Sequence, residues 1–161
     1  MIVLDASTIV VLGKQGMLFL VRECFAKAVI SEGVYNEVVC KKESAEAAAL
    51  GNALGEKWVV KESIEVHPLL VTGNIGLGEK EAISLARKRG FRLITDDETA
   101  KGYAALVGVE SHGTLYVILL SCRKKIISKG KAIELVNGMI AGGFYLSIEV
   151  YSRFIELLQR E

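Results

Sequence analysis

The chain has 161 residues, 51% of them hydrophobic, with twenty Lys and Arg against nineteen Asp and Glu for a net charge of +1. That length suits one domain able to bury about 70% of the surface its unfolded chain exposes, so no disulfide or metal is needed to hold it together. A single Pro and a charged fraction of 24% exclude a collagen-like or disordered chain, and the near-neutral balance neither demands nor forbids a nucleic-acid partner.

Short apolar runs alternate with helix-period segments, the pattern of βα units around a parallel sheet. Ile2–Leu4 reads as a buried central strand, followed by a helix from about Thr8 to Lys14 with Gly13 and Gly16 as breakers. Ala28–Ile30 is a second strand, and Ser31 is placed to cap a helix through Val34 and Val38. Glu43–Leu54 is Ala-rich and helical, closed by Gly55, and Trp58–Val60 is a strand or extended connection. A Gly-rich loop over 73–78 opens a helix from Glu79 to about Arg89, with Gly90 just past its end. Phe91–Thr95 is the third clear strand. A helix over Glu98–Val107 stops at Gly108, and Val109–Ser111 can form a short last strand, which leaves His112 just beyond it. Thr114 can cap a helix to about Ile126; further helices are expected near Lys131–Ala141 and Ile148–Gln159. No repeat or linker interrupts the chain, so one domain over residues 1–161 is expected.

Cys24, Cys40 and Cys122 are odd in number, far apart and without a His at metal spacing, which points to reduced thiols. No basic segment precedes the first apolar run. The longest apolar stretch, near Leu115–Leu120, is far short of the roughly 20 residues of a membrane span. A cytoplasmic protein with no membrane partner is expected.

The acids are distributed unevenly: sixteen are Glu and three are Asp, at positions 5, 96 and 97. Asp5 follows Ile2-Val3-Leu4 and Asp96-Asp97 follow Leu93-Ile94-Thr95, so all three stand at strand ends. Ligands of open parallel sheets bind at the carboxyl ends of strands. Carboxylates crowded there resist ionisation unless a cation sits among them, and Mg²⁺ or Mn²⁺ takes such oxygen ligands together with waters. Capping of the following turns is the other account of these residues. Glu79 and Glu81 open a helix, where the dipole favours acids, yet Glu79 falls on the apolar stripe of Ala82 and Ile83 while Glu81 points away from it. Glu37, one turn past Val34, is by itself an ordinary helix-surface acid.

Taken in order, Ile2-Val3-Leu4-Asp5-Ala6-Ser7, Glu37, Gly78-Glu79-Lys80-Glu81-Ala82-Ile83 and Leu93-Ile94-Thr95-Asp96-Asp97 resemble a PIN domain. The nearest likeness is the small prokaryotic branch that includes VapC-type toxins, and Ser111-His112-Gly113-Thr114 resembles a turn of one uncharacterised subgroup. The resemblance implies a three-layer α/β/α sandwich on a short parallel sheet, acids binding Mg²⁺ or Mn²⁺, and metal-dependent cleavage of RNA. Carried over, Asp5 is the first acid, Ser7 the supporting hydroxyl and Glu37 the second acid. The third is either Glu81, in the acid-Ala-apolar pattern of toxins, or Glu79 with Glu81, like the paired Glu of flap endonucleases. Asp97 is the fourth, with Asp96 as a neighbour able to share its role. Ser31 stands where many relatives have Pro, which removes no ligand. A narrower implication is the toxin of a toxin–antitoxin pair, with a small antitoxin protein as partner. The alternative is a catalytically silent nucleic-acid-binding or scaffold protein of the same fold.

Two further expectations come from the residues. No acid occurs between Ser111 and Ile133, where Arg123, Lys124, Lys125 and Lys129 gather, a candidate rim for the RNA backbone. The apolar helices after Gly113, with Leu115, Leu119, Leu120 and Ile140 among others, hold more aliphatic surface than one sheet readily covers, so a contiguous patch and a two-fold homodimer are expected. A haloacid-dehalogenase-like phosphatase, which needs a second Asp where Ser7 stands, is excluded.

Overall fold

The short apolar runs form five strands: β1 (Ile2–Leu4), β2 (Ala28–Ser31), β3 (Val59–Glu62), β4 (Arg92–Ile94) and β5 (Ser111–His112). In the computed structural model, which describes residues 1–160, they pair in parallel in the order β3-β2-β1-β4-β5. Successive strand residues point to opposite faces, and Ile2, Val3 and Leu4 are each at most 1% exposed. Both faces of the centre are therefore covered, and the molecule is a three-layer α/β/α sandwich.

The covering helices are α1 (Ala6–Lys14), α2 (Phe19–Phe25), α3 (Glu32–Val39), α4 (Ala45–Gly55), α5 (Leu77–Arg89), α6 (Glu98–Leu106), α7 (Thr114–Arg123), α8 (Lys129–Ala141) and α9 (Ile148–Gln159). Serine caps start four of them: Ser31, Ser44, Ser128 and Ser147 each accept the backbone N–H three residues on, a contact worth about 1 kcal/mol. Gly90, with φ +65°, ends α5, as its position suggests.

Most helices fall within about two residues of the sequence expectation, and the departures at α2, α5 and α7 have local reasons. The unforeseen α2 has no capping side chain at Leu18 and is held by burial of Leu20, Val21 and Cys24. Helix α5 starts at Leu77, two residues early, because the Glu79 carboxylate reaches back to the Gly76 N–H at 2.5 Å. Thr114 is the first helical residue of α7 and not its cap. That helix ends at Arg123, short of Ile126, where Lys125 turns to φ +59°.

The expected aliphatic patch is largely absorbed. Val117, Ile118, Leu135, Val136 and Met139 are all under 5% exposed, and Leu115, Leu119 and Leu120 pack against the core. Of the residues expected in that patch Ile140 stays exposed, and Tyr145, Ile148 and Val150 further along the chain are exposed as well. Among the described residues no helix is long and apolar enough to cross a membrane.

From β1 the chain steps outward through β2 to β3, then returns across the sheet to β4 and on to β5 on the other side of β1. The carboxyl ends of β1 and β4 therefore flank the point where strand order reverses, the usual ligand crevice of an open α/β sheet.

Candidate functional site

Asp5 leaves β1 at that crevice and is 3% exposed. It occupies the N-cap position of α1 yet makes no side-chain cap bond, so capping does not account for it. Its Oδ2 accepts from the Thr95 hydroxyl at 2.7 Å and from the Ser7 hydroxyl at 3.2 Å. Its Oδ1 is the one buried side-chain oxygen or nitrogen without a hydrogen-bond partner among the described residues. An orphaned carboxylate oxygen in the interior is costly unless something charged completes it.

Besides Asp96, treated below, three more acids line the same cleft of about 420 Å³: Glu37 from α3, Glu79 from α5 and Asp97 at the head of α6. Two glycines permit this meeting. A Cβ on Gly33 would lie 3.0 Å from the Gly78 Cα, and a Cβ on Gly78 would lie 3.0 Å from Glu37 Oε2. The starts of α3 and α5 can thus approach closely enough to bring Glu37 beside Glu79. Asp97 accepts the Ala100 N–H at 2.7 Å, so it caps α6 while lining the cleft.

Three of these acids, Asp5, Glu37 and Glu79, have pKa values raised by their surroundings. Burial holds the Asp5 carboxyl above its ordinary range, opposed by the hydrogen bond from Thr95, by the nearby Ala6 amide and by Ser7, and reinforced by Asp97. Glu37 is raised by burial and then by the charges of Asp5 and Glu79. Glu79 is raised by burial, opposed by its bond to the Gly76 amide, and pushed further by Asp5 and Asp97. Like charges gathered in a half-dry cleft favour a cation among them.

Two sequence candidates are engaged differently. Glu81 turns away from the cleft: its Oε2 accepts the Gly33 N–H at 2.6 Å and anchors the first turn of α3 from a neighbouring helix. Asp96 borders the cleft, but both its oxygens are spoken for by Thr114, the amide at 2.7 Å and the hydroxyl at 2.5 Å. Its carboxyl is raised by burial, opposed by those two bonds and by Lys101, and raised again by Glu98. It thereby caps α7 across the sheet edge, which is why Thr114 does not serve as the cap.

The expected basic rim is not beside these acids. Helix α7 begins at the crevice and runs ten residues to Arg123, about 14 Å at 1.5 Å per residue. At that far end Lys124 donates to the Cys24 carbonyl, which lies just before β2, and Lys129 donates to the Gln159 carbonyl. Arg123, Lys124, Lys125 and Lys129 thus belong to the opposite edge of the sheet. Nor do the histidines enter the cleft: His112 lies in β5, stacked on Tyr116 with ring centroids 4.1 Å apart.

Thr95 was the contributor that sequence reasoning left out. Fully buried, its hydroxyl donates to Asp5 and accepts the Asp97 N–H at 3.2 Å, while Ser7 accepts the Asp96 N–H at 3.0 Å. Position directly before an Asp pair at a strand end was the available signal.

The donor set suits a hard divalent ion. All four acids offer oxygen, one buried oxygen lacks a partner, and mutual repulsion would be relieved by positive charge. Among the described residues no three His, Cys, Asp or Glu side chains are assembled to hold an ion by themselves.

A family model described as a PIN domain, DUF3368, matches residues 1–160. Among solved structures the chain is similar to a PilT N-terminus domain protein from the hyperthermophilic archaeon Sulfolobus solfataricus P2. The two share 19% identity with a TM-score of 0.50, over 71% of this chain and 87% of that one, a likeness that speaks for the fold alone. No protein of curated function matches.

Proposed function

The chain belongs to the PIN-domain family, generally nucleases, and on that premise we propose that it is a metal-dependent ribonuclease. In this reading Asp5, Glu37, Glu79 and Asp97 hold Mg²⁺ or Mn²⁺ and RNA phosphodiester bonds are hydrolysed. The observation that carries the reading is the partnerless Oδ1 of Asp5, in a cleft shared with three other acids at the reversal of strand order.

A divalent ion bound there supplies an activated water and charge to offset that building on the phosphate. The chain's own residues do the arranging. Thr95 and Ser7 fix Asp5 through Oδ2 and leave Oδ1 for the ion. Thr95 also holds the Asp97 backbone, so the acids at the ends of β1 and β4 share one hydroxyl. Glu79 is steadied by Gly76, and Asp96 positions the crevice wall through Thr114.

Incubating the protein with single-stranded RNA and Mn²⁺ tests the reading. Cleavage that EDTA abolishes and Asp5→Asn removes is expected; RNA left intact by a folded, Mn²⁺-loaded protein sinks it and favours the silent-scaffold alternative. The narrower toxin role adds a small antitoxin partner, and a copurifying product of a neighbouring small gene tests that. The homodimer expectation keeps as its exposed apolar residues Ile140 and, beyond it, Tyr145, Ile148 and Val150; light scattering giving 17.5 kDa at every concentration would exclude it.

A further inference from the structure

Beside the acid cleft lies a second cavity of about 430 Å³, lined by Lys101, Tyr116, Phe144, Tyr145, Leu146 and Val150 among others. The two share Asp96 and Phe144 as a common wall, so a strand crossing one enters the other. We propose that this cavity takes a nucleobase of single-stranded RNA whose adjoining phosphate lies at the acids, an inference that rests on the ribonuclease reading above.

Three features fit a base and its backbone. The walls are aromatic: Phe144, Tyr116, and Tyr145, which is 87% exposed. Tyr116 is rigid, because His112 stacks on it with planes 16° apart and its hydroxyl accepts from Arg92 at 2.9 Å. Flat aromatic walls stack on bases whatever their identity. The cavity also contains a cation close to the acids: Lys101, 27% exposed at its side chain, pairs with Glu98 at 2.6 Å and acts on Asp96. A phosphate passing between the two cavities would meet that ammonium group, which the distant cluster at Arg123–Lys129 cannot supply. Size agrees as well, since the volume lies in the range of small-ligand pockets. A base inside a duplex is already stacked and paired and could not enter, so single strands are the class selected.

The test measures binding of a fluorescein-labelled eight-nucleotide RNA by anisotropy, in EDTA so that nothing is cut. The same strand carrying abasic positions, and its duplex, serve as comparators. Tyr145→Ala should weaken binding of the intact strand about ten-fold, the range seen when one stacking ring is removed, while Tyr145→Phe keeps it. Abasic and duplex probes should bind weakly to parent and variant alike. The proposal is overturned if Tyr145→Ala binds as the parent does, if the abasic strand binds as well as the intact one, or if no probe binds. Loss of self-association in Tyr145→Ala with unchanged RNA binding would give the surface to a second copy and likewise overturn it. Base-dependent binding by a protein that cuts no RNA with Mn²⁺ would leave this pocket standing and fail the ribonuclease reading instead.

Discussion

The ends of β1 and β4 carry two aspartates, Asp5 buried and Asp96 half-buried, that look alike until their oxygens are counted. Both follow an apolar strand, and burial raises the pKa of both. Asp96 has each oxygen paired with Thr114, whereas Asp5 keeps Oδ1 without a partner. A raised pKa alone therefore does not separate a carboxylate whose oxygens are all used by the fold from one that keeps an oxygen free for the ion proposed above; the inventory of partners does. A second pair repeats the contrast on α5, where Glu79 faces the acids and Glu81 secures the Gly33 amide.

Substitution at Asp5 gives the largest expected effect on activity. Asp5→Asn should reduce Mn²⁺-dependent cleavage on the order of 100-fold or more, the scale of losing one preorganised electrostatic group. Metal-free thermal stability should stay level or rise, because the variant removes a charge that burial and Asp97 oppose. A clear drop in melting temperature would make Asp5 a structural residue and erase its difference from Asp96.

At Asp96 the sign should reverse. Asp96→Ala strands the Thr114 amide and hydroxyl, at a cost of about 2–3 kcal/mol in urea unfolding. A Cβ on Gly113 would lie 2.8 Å from Asp96 Oδ1, so the turn fits closely around this carboxylate and has little room to find another partner. Unfolding midpoints matching the parent would show that the two bonds contribute nothing.

On α5 the contrast should be smaller. Glu79→Gln keeps an oxygen for the Gly76 amide and loses the charge, so Mn²⁺ affinity, read by calorimetry, should fall about ten-fold while folding persists. Glu81→Gln should leave Mn²⁺ affinity unchanged and lower stability by about 1 kcal/mol, because a charge-assisted bond to Gly33 becomes a neutral one. Equal effects of the two on Mn²⁺ would merge them into one paired site.

The sheet and the first acid were legible because they depend on local signals: apolar runs of three or four residues, and an Asp directly after them. All five strands appear near their expected places, β5 shifted by two residues to Ser111–His112. The choice between Glu79 and Glu81 was not legible, because it turns on Gly33 and Gly78 letting α3 and α5 touch, a contact between residues 45 positions apart. The role of Asp96 was hidden likewise, since Thr114 lies eighteen residues on. Helical periodicity expected Glu79 on the apolar stripe. It does point inward, but to a cleft at the helix start, where the first turn has no preceding turn to cover it. The basic cluster misled for the opposite reason: charge grouped in sequence says nothing about which end of α7 it occupies.

The gentlest test of the contrast is pH. In Asp5, Glu37 and Glu79 the folded pKa lies above the ordinary value, so between those values the folded state binds more protons than the unfolded one. Stability then falls as pH rises, since its slope follows the protons bound by the unfolded state minus those bound by the folded state. Contributions from these groups are fullest below about pH 4, near the ordinary carboxylate pKa, and are lost as pH climbs through the raised folded values. Asp96 is raised too, so it adds to the same slope and cannot by itself report on the cleft. Mn²⁺ separates them. An ion that binds only the folded chain stabilises it by mass action, and it competes with protons for Asp5, Glu37 and Glu79 but not for the Thr114-bound Asp96. Thermal scans of the parent should therefore show a melting temperature that declines from pH 4 to 7 without metal, and a Mn²⁺-induced rise that grows over the same interval. In Asp5→Asn the Mn²⁺-induced rise should disappear while a residual decline from the remaining acids persists. A Mn²⁺ effect that is independent of pH, or that survives in Asp5→Asn, would place the ion away from the partnerless oxygen.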